Sequence, residues 1–149
     1  MREGYNIVFR GFHECQDGHK VIVVRGKKYR GNWVAGYYWT NECDNHFIRE
    51  TIDPETYEYV IRDYEVIAET VSQYTGVNDK KDRMIYDKDW VIIPAYGGGK
   101  YLTQVYFRKG KFAVDGSNYG YKDLTQTRTE VIRNIFEMPN LKRGEIERK

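Results

Sequence analysis

The stretch ETVSQYTGVNDKKDRMIYDKDWVII, residues 69–93, decides what kind of fold this chain has. Gly76 gives the backbone access to a positive φ where the chain must turn. Asn78, Asp79 and Asp82 follow at once, and short polar side chains of this kind bond to amides in their own turn. Ile85 and Val91 lie in two short apolar strand-like runs, MIY and DWVIIP, and are expected to face a core. Asp89 stands where it can pin the turn into the second run. The upstream side is ambiguous. Tyr57, Val60, Ile61, Tyr64, Ile67, Ala68 and Val71 recur at helical spacing, Asp53-Pro54 is a good helix start and Gly76 a good stop. Against a helix, TYEYVI and YEVIAETV are rich in β-branched and aromatic residues, and Arg62-Asp63 offers a turn between them. Periodicity alone favours a helix over residues 53–74.

Outward from this stretch the signals are those of strands. YNIVFRGF, KVIVVRG, NWVAGYYWT and HFIRET are separated by ECQDGHK, by the basic segment KKYRGN and by NECDN. Asp17-Gly18 centres the first turn, and Gly31 is expected to supply a positive φ in the second. Four strands on tight turns predict a β-meander over residues 1–52. Downstream, Lys109-Gly110 sits between the apolar runs VYFR and KFAV and predicts a hairpin. AYGGGK reads as a flexible loop, TEVIRNIFE as another strand, and residues 140–149 as a charged, frayed tail.

Composition sets outer bounds. The chain has 149 residues, enough for one domain or two small subdomains, with 40% hydrophobic and 15% aromatic residues, fourteen of them tyrosine. Twenty-four basic and twenty-two acidic side chains leave a formal charge of +2, too balanced for bulk charge to indicate nucleic-acid binding. No apolar run is long enough to span a membrane, and MREGYNIVFRG lacks the features of an export signal. The expectation is a cytoplasmic protein with its two cysteines reduced.

The central segment ETVSQYTGVNDKKDRMIYDKDWV resembles the signature of the YopX family, found mainly in bacteriophages and prophages. That signature runs E-T-V-G-Q-Y-T-G, then a lysine-rich turn, then I-Y-E-G-D-I-V. FRG at residues 9–11, GNWVAGYY and EVIRNIFEMPNL resemble the family's two ends. The matching signature positions are Gln73, Tyr74, Gly76, Asp79, Ile85, Tyr86 and Asp89. Three features depart from the pattern: Ser72 and Lys88 replace glycines, and a longer segment, roughly residues 12–31, separates FRG from GNW. The resemblance implies a mostly β fold, with an SH3-like, partly open barrel over residues 64–139 and only short helical pieces. It also implies that EVIAETVSQYTG is extended, against the periodicity. It supplies a phage context and no reaction, since the family's biochemical activity is not established.

Three kinds of site remain open. The signature is first of all a structural turn, although Lys80, Lys81 and Arg83 could present a basic loop to phosphates. Lys27, Lys28 and Arg30 beside Trp33 interleave basic and aromatic residues, as single-strand nucleic-acid binders do, and Arg108, Lys109 and Lys111 form another basic cluster. His13, Cys15, His19, Cys43 and His46 are of the types zinc prefers. In a meander their two turns would lie at one end of the sheet, about 10 Å apart. Their spacing matches no standard zinc motif. There is no Walker A, G-x-S-x-G or H-E-x-x-H pattern, so the chain reads as a binding module and not an enzyme, with no required cofactor. The expected partner is a phage or host protein or, through open strand edges, a second copy. Nucleic acid is the alternative and a zinc-stabilised interaction domain the second.

Overall fold

The computed structural model describes residues 8–52, 55–116 and 121–146. The chain divides into two compact units, residues 1–73 and 74–149. It is all-β, and the helical content among the described residues is two single 3₁₀ turns, Ala68–Thr70 and Gln126–Arg128.

In the first unit the strands are β1 (Phe9–Glu14), β2 (Lys20–Val24), β3 (Lys27–Thr40), β4 (His46–Ile52) and β5 (Tyr59–Val66). All pairings are antiparallel, in the order β5-β4-β3-β1, with β2 also on β3. The expected meander is therefore corrected, because β1 pairs with β3 and not with β2. The cause is the length of β3. KKYRGN is not a turn but the first part of this fourteen-residue strand. The turn is the dipeptide Arg25-Gly26, with both residues at positive φ (52° and 79°), the geometry a two-residue hairpin demands. Gly31 is a register partner of both Glu14 and Lys20. It is not a positive-φ glycine. A Cβ there would come within 2.0 Å of the His13 carbonyl oxygen, and one on Gly18 within 2.3 Å of Gly31 Cα, so bare backbone is needed for close approach.

The ambiguous upstream segment is extended. β5 covers residues 59–66 and β6 begins at Ser72, with only residues 68–70 helical between them. The β-branched content outweighs the helical spacing because a sheet neighbour, β4, is present to pair with it. Asp53 and Pro54 lie outside the described residues. Phe12, Ile22, Val24, Ile48 and Val66 form the buried interior of this unit. Thr70 ties it together: its hydroxyl donates to the Ile67 carbonyl (2.6 Å) and accepts from the Phe12 amide (2.9 Å), while Ile67 N donates to Phe12 O (3.0 Å).

Strand β6 (Ser72–Asn78) straddles the division. Ser72 and Gln73 pair with Arg10 and Phe9 of β1. The second unit continues with β7 (Met84–Tyr86), β8 (Asp89–Pro94), β9 (Lys100–Gln104), β10 (Tyr106–Arg108), β11 (Lys111–Asp115), β12 (Tyr121–Asp123), β13 (Glu130–Asn134) and β14 (Gly144–Ile146). β7 pairs with β6, and the other seven form a four-stranded sheet, β13-β8-β9-β14, and a three-stranded one, β10-β11-β12. These sheets are not closed into a barrel. Five side chains, Ile85, Val91, Ile93, Val105 and Val114, fill the core beneath them, each worth about 1.5–3 kcal/mol when buried. The Lys109-Gly110 hairpin is present, with both φ positive (51° and 85°) and Arg108 facing Lys111. The AYGGGK segment closes the β8–β9 hairpin, Ala95 N donating to Gly99 O (3.1 Å). The tail is not frayed throughout, since residues 144–146 pair with β9.

Candidate interaction surface

The signature turn is built around a buried carboxylate. Asp79 is fully buried at the end of β6. Its Oδ1 accepts from the amides of Lys81 (2.9 Å) and Arg83 (2.8 Å), and its Oδ2 from Val131 N (2.9 Å) and Arg83 Nε (3.0 Å). Burial by itself pushes this carboxyl up. The amides of Val131, Arg83 and Lys81 and the Arg83 guanidinium outweigh it, so the group sits below its ordinary value. Asp79 thus stitches the 79–83 turn to β13. Asp89, also buried, accepts from Tyr86 N (2.8 Å) and pins the next turn. Ile85 lies in the core, Tyr74 and Tyr86 are register partners, and Gly76 has φ 87° inside an irregular stretch of β6. The signature residues are a framework.

The basic loop of this turn is already neutralised. Lys80 and Lys81 both reach Glu130 (3.4 and 3.1 Å), and Arg83 holds Asp79. The Lys81 hydrogen bond, with the rest of this pairing, holds the Glu130 carboxyl below its ordinary range. Lys111 of the other basic cluster pairs with Asp123 (2.8 Å).

Lys27, Lys28, Arg30 and Trp33 all fall on β3, where alternation divides them. Lys27 and Trp33 share one parity, Lys28 and Arg30 the other. Lys27 lies 5.1 Å from the Tyr29 ring centre, Arg30 donates to the Gly18 carbonyl (3.3 Å), and Trp33 packs on Phe12 beneath Arg10. The four do not present one groove.

The five zinc-type residues are not brought together either. The turn carrying Cys15 and His19 packs beside Gly31 and Asn32, whereas Cys43 and His46 lie beyond Thr40, at the other end of β3. Nine residues of strand separate those points, about 30 Å at 3.3 Å per residue. His13 Nδ1 donates to the Glu65 carbonyl (2.8 Å), and His46 Nδ1 shares a hydrogen bond with Tyr38 (2.7 Å). No cluster of three potential metal ligands occurs among the described residues. The same strand length that breaks the meander keeps these turns apart.

A feature the sequence reading missed lies on the outward face of β3, β4 and β5. Register places Tyr37, Arg49 and Asp63 in one cross-strand row and Trp39, Phe47 and Glu65 in the next. Trp39 and Phe47 stack, centroids 4.5 Å apart at 18°. Arg49 bonds both Asp63 oxygens at 3.0 Å and lies 5.7 Å from the Trp39 ring centre. Trp39 Nε1 donates to Asp63 Oδ1 (2.9 Å), so the indole is fixed. The Arg49 hydrogen bonds hold the Asp63 carboxyl below its usual value. Farther along, β5 exposes Ile61 (74%) and Tyr59 (90%), and Tyr57 (81%) precedes it. β5 ends the sheet order. The available signal was the even–odd alternation of YYWT and HFIRET, which sets Tyr37 and Trp39 opposite the buried Ile48 face.

Among known proteins, the model of the YopX protein family matches residues 20–142. No curated protein matches the chain. The matched span takes in β2 to β13, the signature turn and the outward face. The chain belongs to the YopX family.

Proposed function

We propose that this is a phage or prophage accessory protein of the bacterial cytoplasm that works by binding a protein partner and not by catalysis. One observation carries the reading: the outward β3–β5 face, where Trp39, Phe47, Tyr37 and Ile61 surround a prebuilt Arg49–Asp63 pair. Tryptophan, tyrosine and arginine are the side chains that dominate binding energy at protein interfaces, and an aromatic already held by hydrogen bonds loses little freedom on binding. Burial first, and then the neighbouring Asp17 carboxylate, push the Cys15 thiol up, which argues against this one side chain as a nucleophile. A second copy is the other occupant to consider, since β5 is a terminal strand with exposed Tyr59 and Ile61.

Affinity capture of the tagged protein from phage-infected cells, with and without nuclease, tests the reading. A nuclease-resistant protein partner retained by the wild type and lost by Ile61→Lys is the expected result. Recovery of untagged copies of the chain alone would point to self-association. Loss of every partner on nuclease treatment, or equal retention by the variant, contradicts the proposal.

A further inference from the structure

The second unit holds a cleft of about 650 Å³ beside the β8–β9 hairpin, between its loop and the β12–β13 connection. That volume is within the range of about 300–1,000 Å³ typical of small-ligand sites. Ile93 and Val114 give it an apolar floor, and Thr125 contributes to its wall. Its charge is unbalanced. Lys122, Arg128 and Asp123 line it, but Asp123 is held by Lys111 at 2.8 Å. Neither Lys122 nor Arg128 has an ion-pair partner among the described residues. This contrasts with the signature loop, whose cations are matched by Glu130 and Asp79. At the rim, Tyr96 is 74% exposed in a loop whose Gly97, Gly98 and Gly99 all take positive φ. An aromatic with this much exposed surface on a glycine-rich loop can meet a planar ligand.

We infer that this cleft binds a nucleotide unit, with Arg128 and Lys122 on the phosphate and Tyr96 against the base. Guanidinium and ammonium groups bond phosphate oxygens directly, and a hydroxyl such as Thr125 can add a donor. Base–aromatic stacking is tolerant of base identity, so the site is expected to discriminate weakly among bases. The cleft lies wholly in the second unit, so the inference is independent of the outward β3–β5 face. It also differs from the Lys27, Lys28 and Arg30 cluster, which the two sides of β3 divide.

Calorimetric titration with 5′-AMP, adenosine, inorganic phosphate and a single-stranded tetranucleotide tests it. AMP should bind, with affinity falling as salt rises, and more tightly than phosphate or adenosine. Arg128→Gln and Lys122→Gln should each weaken AMP by about tenfold, a loss near 1.4 kcal/mol. Tyr96→Ala should erase the preference for AMP over phosphate. All three side chains are exposed, and circular dichroism checks that each variant remains folded. Tighter binding of the tetranucleotide than of AMP would assign the site to a nucleic-acid strand, and equal binding to a free nucleotide; either outcome supports the inference. No binding of AMP at millimolar concentration, wild-type affinity in both charge variants, or equal affinity for phosphate and AMP overturns it.

Discussion

At the scale of single residues, Asp79 and Lys88 have the clearest consequences. Asp79 is buried with four donors on its two oxygens, and an amide nitrogen in place of one oxygen would face those donors. Asp79→Asn should cost about 3 kcal/mol, measured by urea denaturation at neutral pH. The carboxyl's folded value is lowered, so its stabilisation is complete above the ordinary aspartate value, about 3.9, and is lost as pH falls through the lower folded value. The wild type should therefore lose stability below about pH 4 more steeply than the variant. Lys88 stands where the family pattern has glycine, and it has φ 73°. A side chain in that conformation costs about 1–2 kcal/mol. Lys88→Gly should recover about 1 kcal/mol of this, less than the full strain because glycine gains freedom when unfolded. An unchanged or lower melting temperature would show that the lysine's contacts outweigh its strain. Ser72, the other replaced glycine, is not at positive φ, and its buried hydroxyl donates to the Thr70 carbonyl (3.2 Å).

At the scale of elements, the β6–β7 pair shows why the signature contains its glycine. Tyr74 faces Tyr86 and Asn78 faces Met84, so β6 carries extra residues and Gly76 sits among them at positive φ. A Cβ there meets nothing within 4 Å, so the restriction is conformational and not steric crowding. Gly76→Val should destabilise by about 2 kcal/mol, because a branched side chain is strained in that region. Lys80→Ala, which removes a half-exposed ion pair to Glu130, should change stability by less than about 1 kcal/mol. Thermal melts of the pair decide this, and equal shifts contradict it. The hairpin at Lys109-Gly110 and the turns around Asp79 and Asp89 were legible in the sequence, because each depends on residues a few positions apart. The partners of β3 were not. Lys27 to Thr40 is one strand because β2, β1 and β4 pair along its length, and no local pattern announces that. The zinc reading rested on the same meander, whose path would set the two turns at one end of the sheet, and the length of β3 separates them. A chelator should accordingly leave the melting temperature unchanged; a fall of several degrees would mean the turns meet after all.

At the scale of the whole molecule, the all-β class was readable from turn frequency and β-branched content, while the arrangement of the sheets was not. Closure depends on whether terminal strands such as β13 and β14 find each other, which short runs of three to five residues do not encode. The outward face also escaped notice because its members, Tyr37, Trp39, Phe47, Arg49 and Asp63, come from three strands. Only the cross-strand register assembles them. The central claim is that this face is where a protein partner docks. Amide hydrogen exchange on the captured complex, compared with the free protein, tests it most directly. Binding there should slow exchange over residues 57–66 and 37–49, with the signature turn at 79–89 unchanged. Protection confined to the turn, or none in β5, would contradict the claim.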